Sequence, residues 1–357
     1  MRIVQIIDSL EIGGAEKMAI NYANALADRN AFSGLVATRA EGKLKNQLNK
    51  SVSYLFLKKK STFDLGAAFR LKKYCIQNKV EFLQPHSSSY FTALLIKFIY
   101  PKISIIWHDH NGLSEFISSE KSLALKVASR FFKGIIVVNY KLKDWAEKEL
   151  NCKKVIYLPN FTTIDNATTA ETILKGDSGK RILCLANLRD QKNHFLLLEV
   201  AQKLKLSHPE WTFHLVGKDF KDDYSAQVKA SIINKNLENN VFIYGSKNDI
   251  KNILSQSEIA ILTSKSEGLP IALIEYGLSK KPVVSAKVGE IPLIITDGLN
   301  GFTVGVNDAD LFYQRLLQFI TDTDLRIQMG NSLYQTVLQN NSEEGVITNY
   351  LNWVLSL

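Results

Sequence analysis

The chain has 357 residues, of which 46% are hydrophobic and 22% are charged. This length and balance are typical of a folded protein with two domains, and they exclude an intrinsically disordered chain. Its three cysteines, Cys75, Cys152 and Cys184, are widely spaced and form no C-x-x-C pair, so we expect neither a disulfide framework nor a cysteine zinc site.

The charge is distributed unevenly. Residues 1–160 hold 25 Lys and Arg against 13 Asp and Glu, a net charge of +12, whereas the whole chain carries +9. Such a basic half favours an anionic partner, and we expect a membrane surface rather than nucleic acid because no nucleic-acid-binding signature accompanies it. Solvated lysines are the alternative. With no signal peptide and no apolar run of membrane-spanning length, we expect a cytoplasmic protein, peripheral on the inner face of the membrane.

The first turn of the chain is rich in glycine. A strand at Ile3–Ile7 leads to Gly13 and Gly14, which open a helix near Ala15. Because glycines allow close backbone approach and the first helical N–H groups have no partner within the helix, this turn can hold a phosphate or the edge of an acceptor sugar. A plain tight turn is the alternative.

Three histidines follow predicted strands of the first half. His86 comes after the strand Val80–Gln84, where a ligand role and a helix-entry role are equally favoured. His108 directly follows the strand Ile103–Trp107, and His110 is the reserve candidate for the same role. Two histidines in H-x-H spacing suit a metal, but no third ligand has a recognisable spacing, so we expect none. A buried orienting histidine is the alternative for His108.

A helix with apolar and basic residues is predicted within the first domain, before the linker. A helix at Ser119–Lys133 places Leu123, Val127 and Phe131 on one face, which we expect to pack on the core, with contact to an anionic leaflet as the minor hypothesis. The polar stretch Phe161–Lys180 is the predicted linker.

The second domain begins with a strand at Ile182–Ala186. Arg189 and Lys192 follow it, just before a helix, and cations at such a strand end suit a diphosphate. Two later strands end in Gly217 and Gly245, which leave room for a flat base or serve turns only.

The most informative stretch is Ser264–Glu290. It follows a buried apolar strand, and a helix is predicted at Pro270–Lys280, so Glu267 lies in the strand-to-helix loop and Glu275 inside the helix. Amides of Gly268 and Leu269 near the helix start suit phosphates, whereas the carboxylates suit sugar hydroxyls. The stretch therefore predicts a nucleotide-sugar site.

With its Pro282-Val283-Val284 and Val288-Gly289-Glu290 continuation, this E-x7-E block resembles the donor-site signature of retaining glycosyltransferases of family 4. The resemblance implies the α/β GT-B fold, with two facing Rossmann-like parallel-sheet domains and a cleft between them. The domains expected are 1–160 on the acceptor side, a linker at 161–180, a donor-binding domain at 181–340, and a final helix at 341–357 that crosses back to the first domain.

The resemblance also implies roles for single residues. Glu267 binds hydroxyls of the donor sugar, Glu275 the ribose, and Lys192 with the Gly268 and Leu269 amides stabilises the departing diphosphate. Gly13 and Gly14 match a family GGAE turn that faces the donor, and His108 lies near the sugar. The family arginine position holds Asn187, so Arg189 stands two residues away from it.

Chemistry is expected to need no metal and no cofactor beyond the nucleotide-sugar. The Asp-x-Asp motifs of metal-dependent enzymes are matched only at Asp308 and Asp322, which we interpret as helix caps. Two alternatives are a GT-B nucleotide-sugar isomerase and a non-catalytic or polyanion-binding subunit.

Overall fold

A computed structural model of the chain describes residues 1–29, 31–110, 119–162 and 170–357. The chain divides into two compact units, one formed by Met1–Thr162 with Glu343–Leu357 and the other by Thr163–Ser342. Residues 163–169 of the predicted linker, and Asn111 and Gly112 beyond the histidine segment, lie outside the described residues. No helix in the described ranges is both long enough and apolar enough to cross a membrane.

The first unit is built on a seven-stranded parallel sheet in the order β3-β2-β1-β4-β5-β6-β7. Apolar residues fill both of its faces, as expected for a parallel sheet covered by helices. The strands are β1 (Arg2–Ser9), β2 (Phe32–Ala40), β3 (Ser53–Phe56), β4 (Phe82–Pro85), β5 (Ser104–Asp109), β6 (Gly134–Val137) and β7 (Val155–Tyr157). The helices between them are α1 (Gly14–Ala27), α2 (Leu65–Gln77), α3 (Tyr90–Ile99), α4 (Ser119–Ala128) and α5 (Tyr140–Glu149).

The second unit repeats this plan with a six-stranded parallel sheet in the order β10-β9-β8-β11-β12-β13. Its strands are β8 (Arg181–Leu185), β9 (Thr212–Val216), β10 (Val241–Gly245), β11 (Ile259–Leu262), β12 (Val283–Ala286) and β13 (Phe302–Val304). Its helices are α6 (His194–Ser207), α7 (Asp223–Asn234), α8 (Ile250–Ser255), α9 (Ile271–Leu278), α10 (Ile291–Ile294), α11 (Ala309–Thr321) and α12 (Thr323–Asn341). The strand order reverses between β8 and β11, and ligands of such sheets bind beyond the carboxyl ends at that point.

The last helix, α13 (Glu343–Leu355), belongs to the first unit. Its Tyr350 is fully buried and donates a hydrogen bond of 2.6 Å to Oε1 of Gln84 at the end of β4. Near its start, Arg29 pairs with Glu343 and Glu344 at 3.1 and 2.6 Å. The C-terminal segment is thus part of the polar interior of the first unit.

Helix α4 contradicts the expected packing of its apolar face. Leu123 is 63% exposed, Val127 is 52% exposed and Phe131 is exposed as well, whereas Leu125 and Ala128 face the core. The prediction that the first three residues pack on the core is wrong. The helix presents a second apolar stripe, and periodicity alone does not tell which of two stripes a sheet will cover.

Both Asp-x-Asp matches are helix caps, as predicted. Asp308 accepts a hydrogen bond from the Leu311 amide at the start of α11, and Asp322 accepts one from the Leu325 amide at the start of α12. Each carboxylate therefore satisfies a helix N–H group that has no partner within the helix.

Helix α9 packs closely on α12, an element that the sequence analysis did not single out. A Cβ atom at Gly330 of α12 would lie 2.2 Å from the Lys280 carbonyl oxygen, just after α9. At Gly277 of α9 it would lie 2.5 Å from Cγ2 of Val337. The two helices approach this closely because both positions lack a side chain, which fixes the position of α9 at the sheet edge.

We expect Gly330→Ala to lower the free energy of unfolding by about 1–3 kcal/mol, because the methyl group meets a backbone oxygen that cannot rotate away. Chemical denaturation followed by circular dichroism measures the change. The control is Gly305→Ala, where the nearest atom would lie 3.9 Å from the new Cβ. Equal stability of the two variants would show that α9 and α12 are not closely packed.

Candidate functional site

Two predicted site residues of the second unit meet at the reversal of strand order. Lys192 ends a 3-10 turn at Asp190–Lys192 after β8, and Glu267 lies in the loop after β11. Lys192 Nζ lies 2.6 Å from Glu267 Oε1, and the same oxygen accepts a 2.5 Å hydrogen bond from Ser264. They meet because β8 and β11 are parallel neighbours, so their carboxyl ends share one edge of the sheet.

The two loops that carry this pair are tied together by four further residues. Thr263 donates to the Lys192 carbonyl at 2.9 Å, the Lys265 amide donates to the Gln191 carbonyl at 2.8 Å, and Gln191 Nε2 donates to the Ser266 carbonyl at 2.8 Å. Glu267 is buried and the Lys192 side chain is only 23% exposed. The pair is therefore held in place and partly shielded from water, which strengthens its field on any ligand.

The loop between β11 and α9 packs so closely against Gly289 that a side chain at this position would not fit. Gly289 has φ +55°, and a Cβ atom there would lie 2.0 Å from the Glu267 carbonyl oxygen. The Glu290 amide donates to the Gly268 carbonyl at 3.0 Å, and Leu269 is buried in the core below. The Val288-Gly289-Glu290 segment thus supports the Glu267–Leu269 loop from behind.

Tyr276 fixes the orientation of α9. Its hydroxyl accepts a 2.6 Å hydrogen bond from the Leu185 amide of β8, and burial raises the pKa of this hydroxyl well above its usual value. It therefore stays protonated and can also donate. The preceding residue, Glu275, is half-buried on the same helix, so the contact of Tyr276 with β8 also restrains Glu275.

The structure places the remaining cation candidate on an aromatic ring. The Arg189 guanidinium lies 4.4 Å from the centre of the Phe220 ring, and Arg189 is exposed. Asn187, which occupies the arginine position of the family, accepts a 2.7 Å hydrogen bond from the Lys218 amide instead. Sequence reasoning missed Phe220, since an aromatic residue in a loop carries no positional signal of its own.

Gly217 and Gly245 each have a structural reason to be glycine. A Cβ at Gly217 would lie 2.1 Å from the Ala186 carbonyl oxygen, and Gly245 has φ +68°. The Gly217 amide donates to the Gly245 carbonyl at 3.1 Å. Both residues serve the turns at the ends of β9 and β10, and a base-binding role for them stays a prediction.

In the first unit, Gly13 and Gly14 open α1 as predicted. Gly13 precedes the helix in an extended conformation, and a Cβ there would lie 2.2 Å from Glu16 Oε2. The Glu16 carboxylate thus lies against the glycine turn. Because a carboxylate repels phosphate and accepts from hydroxyl groups, this turn suits a sugar better than a phosphate.

The structure brings the three histidines of the first unit together. His86 follows β4, His108 lies in β5 and His110 follows β5, and one ring nitrogen from each of them lies within 4.8 Å of the other two. The spacing argument against a third metal ligand is therefore wrong, because His86 is supplied by the neighbouring strand. Within the described ranges this is the cluster with metal-ligand character.

Hydrogen bonds within the cluster account for most of its ring nitrogens. His86 Nδ1 lies 2.7 Å from His110 Nε2, and His86 Nε2 lies 2.8 Å from Gln5 Oε1. Gln84 Nε2 lies 3.2 Å from His108 Nδ1, while His108 Nε2 is buried with no partner among the described residues. If Gln84 donates to Nδ1, Nε2 of neutral His108 carries the proton and is an available donor.

All three imidazoles are held neutral at pH 7. Burial, followed by the neighbouring imidazoles, keeps the pKa of His86 and His108 well below the usual value. Burial lowers the pKa of His110 to about 3. His108 therefore carries no charge at pH 7.

We expect the free energy of unfolding to fall as pH drops below about 6.5, because unfolded histidines then bind protons that these buried ones do not bind. The stabilisation is complete above that pH, and it is lost as the pH falls toward the pKa values that these histidines have in the folded protein. His194 and His214 of the second unit, with pKa values lowered to about 4 and about 3 by burial, act in the same direction. Thermal unfolding between pH 7.5 and pH 4.5 measures the effect.

In His110→Gln the same scan should show a shallower loss of stability, because one of the shifted groups is gone. An unchanged pH dependence in this variant would show that His110 is not held neutral by the cluster.

Comparison with known proteins agrees with this architecture. A model described as Glycosyltransferase Family 4 matches residues 12–166, and one described as Glycosyl transferases group 1 matches residues 165–336. The structure is similar to that of Anabaena HepE in complex with UDP and glucose, with a TM-score of 0.84, 20% identity and full coverage of both chains.

Two curated bacterial enzymes are similar in sequence. The UDP-Gal:alpha-D-GlcNAc-diphosphoundecaprenol alpha-1,3-galactosyltransferase of Escherichia coli is 23% identical over 350 residues, covering 90% of this chain and 88% of that enzyme. The poly(ribitol-phosphate) alpha-N-acetylglucosaminyltransferase of Staphylococcus aureus strain COL is 24% identical over 220 residues, covering 61% of this chain but only 43% of the longer staphylococcal enzyme. With its two parallel-sheet units and both family models matched in succession, the chain belongs to the family 4 glycosyltransferases of GT-B fold.

Proposed function

We propose that this protein transfers a hexosyl or N-acetylhexosaminyl group from a uridine diphosphate sugar to a hydroxyl group of a lipid-linked glycan, with retention of configuration and without a metal ion. The observation that carries the proposal is the Lys192–Glu267 pair, 2.6 Å apart at the carboxyl edge of the second sheet. One group suits phosphate and the other suits sugar hydroxyls, so the pair matches the two halves of a nucleotide-sugar.

The donor nucleotide and the acceptor class are supported by the relatives. The Escherichia coli enzyme, by its name, uses UDP-galactose and acts on a diphosphoundecaprenol-linked sugar. HepE was crystallised with UDP and glucose. We place the acceptor at the inner face of an anionic membrane, which agrees with the net charge of +12 on residues 1–160.

Lys192 is proposed to stabilise the leaving group. An ammonium has three N–H donors, and one of them contacts Glu267, so two can contact the diphosphate as the bond between C1 of the sugar and the phosphate oxygen breaks. The Gly268 and Leu269 amides at the start of α9 are proposed to add to this field. A cation already held in a partly buried loop needs little reorganisation when negative charge develops, which is how such groups accelerate transfer.

The two glutamates are proposed to hold hydroxyl groups. Glu267 has its second oxygen available beside the Lys192 contact and would accept from hydroxyls of the donor sugar, while Glu275 would accept from the ribose. Arg189 and Phe220, stacked at the end of the neighbouring loop, are proposed to extend the donor site. The acceptor oxygen forms its new bond to C1 on the face that the diphosphate leaves, and its proton passes to the departing diphosphate oxygen.

For the first unit, we propose that neutral His108 donates from Nε2 to a sugar hydroxyl, and that the Gly13-Gly14 turn with Glu16 binds an edge of a sugar. Metal independence is part of the proposal, and the EDTA arm of the assay below tests it directly.

We expect Lys192→Met to lower kcat/KM for sugar transfer by about 100-fold or more, because a preorganised charge at the leaving group is lost. The measurement is UDP release from a panel of UDP-sugars with a short-chain lipid diphosphate glycan, in buffer with EDTA. The matched control is Lys203→Met, which removes another lysine paired with a carboxylate at 2.7 Å, but on the exposed surface beside Asp310.

Several outcomes would contradict the proposal. Equal activity of Lys192→Met and wild type would remove the assigned diphosphate role. UDP release with no transfer product would favour the isomerase. No UDP release from any UDP-sugar of the panel would favour the non-catalytic subunit. Activity that disappears with EDTA and returns with a divalent cation would show that transfer needs a metal.

A further inference from the structure

One face of the first unit exposes apolar side chains in unusual number. On α2 and just before it, Phe63 is 70% exposed, Leu65 62%, Phe69 58% and Ile76 50%. Leu65, Phe69 and Ile76 recur at the spacing of one helical face, separate from the stripe of the buried Ala68, Leu71 and Cys75. A surface helix of a soluble protein buries its apolar residues against the core, so an exposed apolar stripe on α2 indicates a surface that binds a partner or a membrane.

The stripe continues onto the neighbouring helices. Helices α2, α3 and α4 all bury side chains in the same core cluster, so they cover the same side of the sheet and their outer faces point the same way. Phe63 contacts Phe91 of α3 with ring centres 6.4 Å apart, and Phe98 contacts Phe131 at 5.2 Å. We call the outer surface formed by Phe63, Leu65, Phe69, Ile76, Phe98, Leu123, Val127 and Phe131 the apolar-basic face.

Cations surround these apolar residues. Between Lys58 and Lys79 there are seven Lys and Arg and a single acidic residue, Asp64. Asp64 caps α2 and accepts from the Ala67 and Lys60 amides at 2.8 and 3.0 Å, so its charge is bound to the backbone. Lys73 is exposed on the same side of α2 as Phe69, Lys72 lies half-buried on that side, and Arg70 is exposed farther around the helix. Lys126, Arg130 and Lys133 lie among the exposed apolar residues of α4 and the turn after it.

This combination selects among the classes of partner. A second copy of the chain would bring two faces of the same positive sign together, which is unfavourable. Nucleic acid would satisfy the cations but leave exposed leucine, isoleucine and valine side chains without a partner. An anionic bilayer satisfies both, since its headgroups attract lysine and arginine while its acyl boundary accepts the apolar side chains.

We propose that the apolar-basic face docks the protein onto an anionic lipid bilayer, with α2 lying in the plane of the headgroups. The surface lies outside the donor site, so docking and sugar transfer can fail separately. Docking holds the first unit at the layer in which a lipid-linked acceptor resides, and this consequence alone rests on the proposed function.

The test is sedimentation of the full chain with vesicles of equal parts phosphatidylglycerol and phosphatidylcholine, against vesicles of phosphatidylcholine alone. We expect binding to the anionic vesicles that weakens as salt is raised from 50 to 500 mM, because exposed charges are then screened. Lys72→Glu with Lys73→Glu should lower the partition coefficient by well over tenfold, at about fivefold for each charge removed and further for each acid added. Phe69→Ser with Ile76→Ser should also lower it at least tenfold.

The matched control is Leu206→Ser with Ile233→Ser, two residues of the second unit that are 86% and 60% exposed. This variant should bind vesicles like wild type. Equal binding to both kinds of vesicle, unchanged binding in the two α2 variants, or a dimer in solution that dissociates in Phe69→Ser would each overturn the proposal.

A second readout separates docking from catalysis. Transfer to a short-chain acceptor that needs no membrane should be unchanged in Phe69→Ser with Ile76→Ser, while transfer to acceptor embedded in anionic vesicles should fall. Loss of transfer with both acceptors would show that this face acts in catalysis or in folding and not in docking.

Discussion

The proposed donor site of this protein depends on one ion pair at one edge of a sheet. Lys192 and Glu267 lie 75 positions apart in the chain, and they meet because β8 and β11 are adjacent parallel strands at the point where the strand order reverses. The two loops are tied together by hydrogen bonds to backbone carbonyls, and α9 behind them is held by Tyr276 and by close packing on α12. The second unit as a whole thus keeps a cation and a carboxylate side by side, in a setting partly shielded from water.

The first unit uses a different kind of polar interior. Its three imidazoles are neutral: His86 bonds to His110 and to Gln5, and His108 bonds to Gln84. The last helix reaches this network through the hydrogen bond from Tyr350 to Gln84. Neutral rings can donate to hydroxyl groups without attracting the diphosphate that we propose for the second unit. The positive charge of the first unit lies on its outer surface instead, beside exposed apolar residues, where it suits a lipid layer. The first unit therefore carries its positive charge on the surface and keeps its buried histidines neutral, whereas the second unit holds the Lys192 charge at the edge of its sheet.

Much of the second unit's candidate site could be predicted from the sequence, because a local strand and helix pattern also tells which residues lie at the edge of the sheet. The apolar run at Ile259–Thr263, the proline before α9 and the second strand at Val283–Ala286 predict a strand, loop, helix and strand, and they place Glu267 at a sheet edge. Lys192 follows from the same rule one strand away. The caps at Asp308 and Asp322 follow from residue type and the apolar helix after them.

What the sequence did not reveal depends on tertiary neighbours. His86 joins His108 and His110 only because β4 and β5 pair, and no spacing along the chain encodes that pairing. Leu123, Val127 and Phe131 are as periodic as a core stripe, yet the sheet covers the other stripe of α4. Asn187 shows the same limit, since a motif that expects arginine there does not reveal its hydrogen bond with the Lys218 amide.

The most direct test that Lys192 and Glu267 form one site is a double-mutant cycle for UDP binding, measured by titration calorimetry on wild type, Lys192→Met, Glu267→Gln and the double variant. We predict a coupling free energy of about 1 kcal/mol or more, because the effects of substituting two residues in contact are not additive. Additive losses of binding free energy would show that the two side chains act on UDP independently and are not one site.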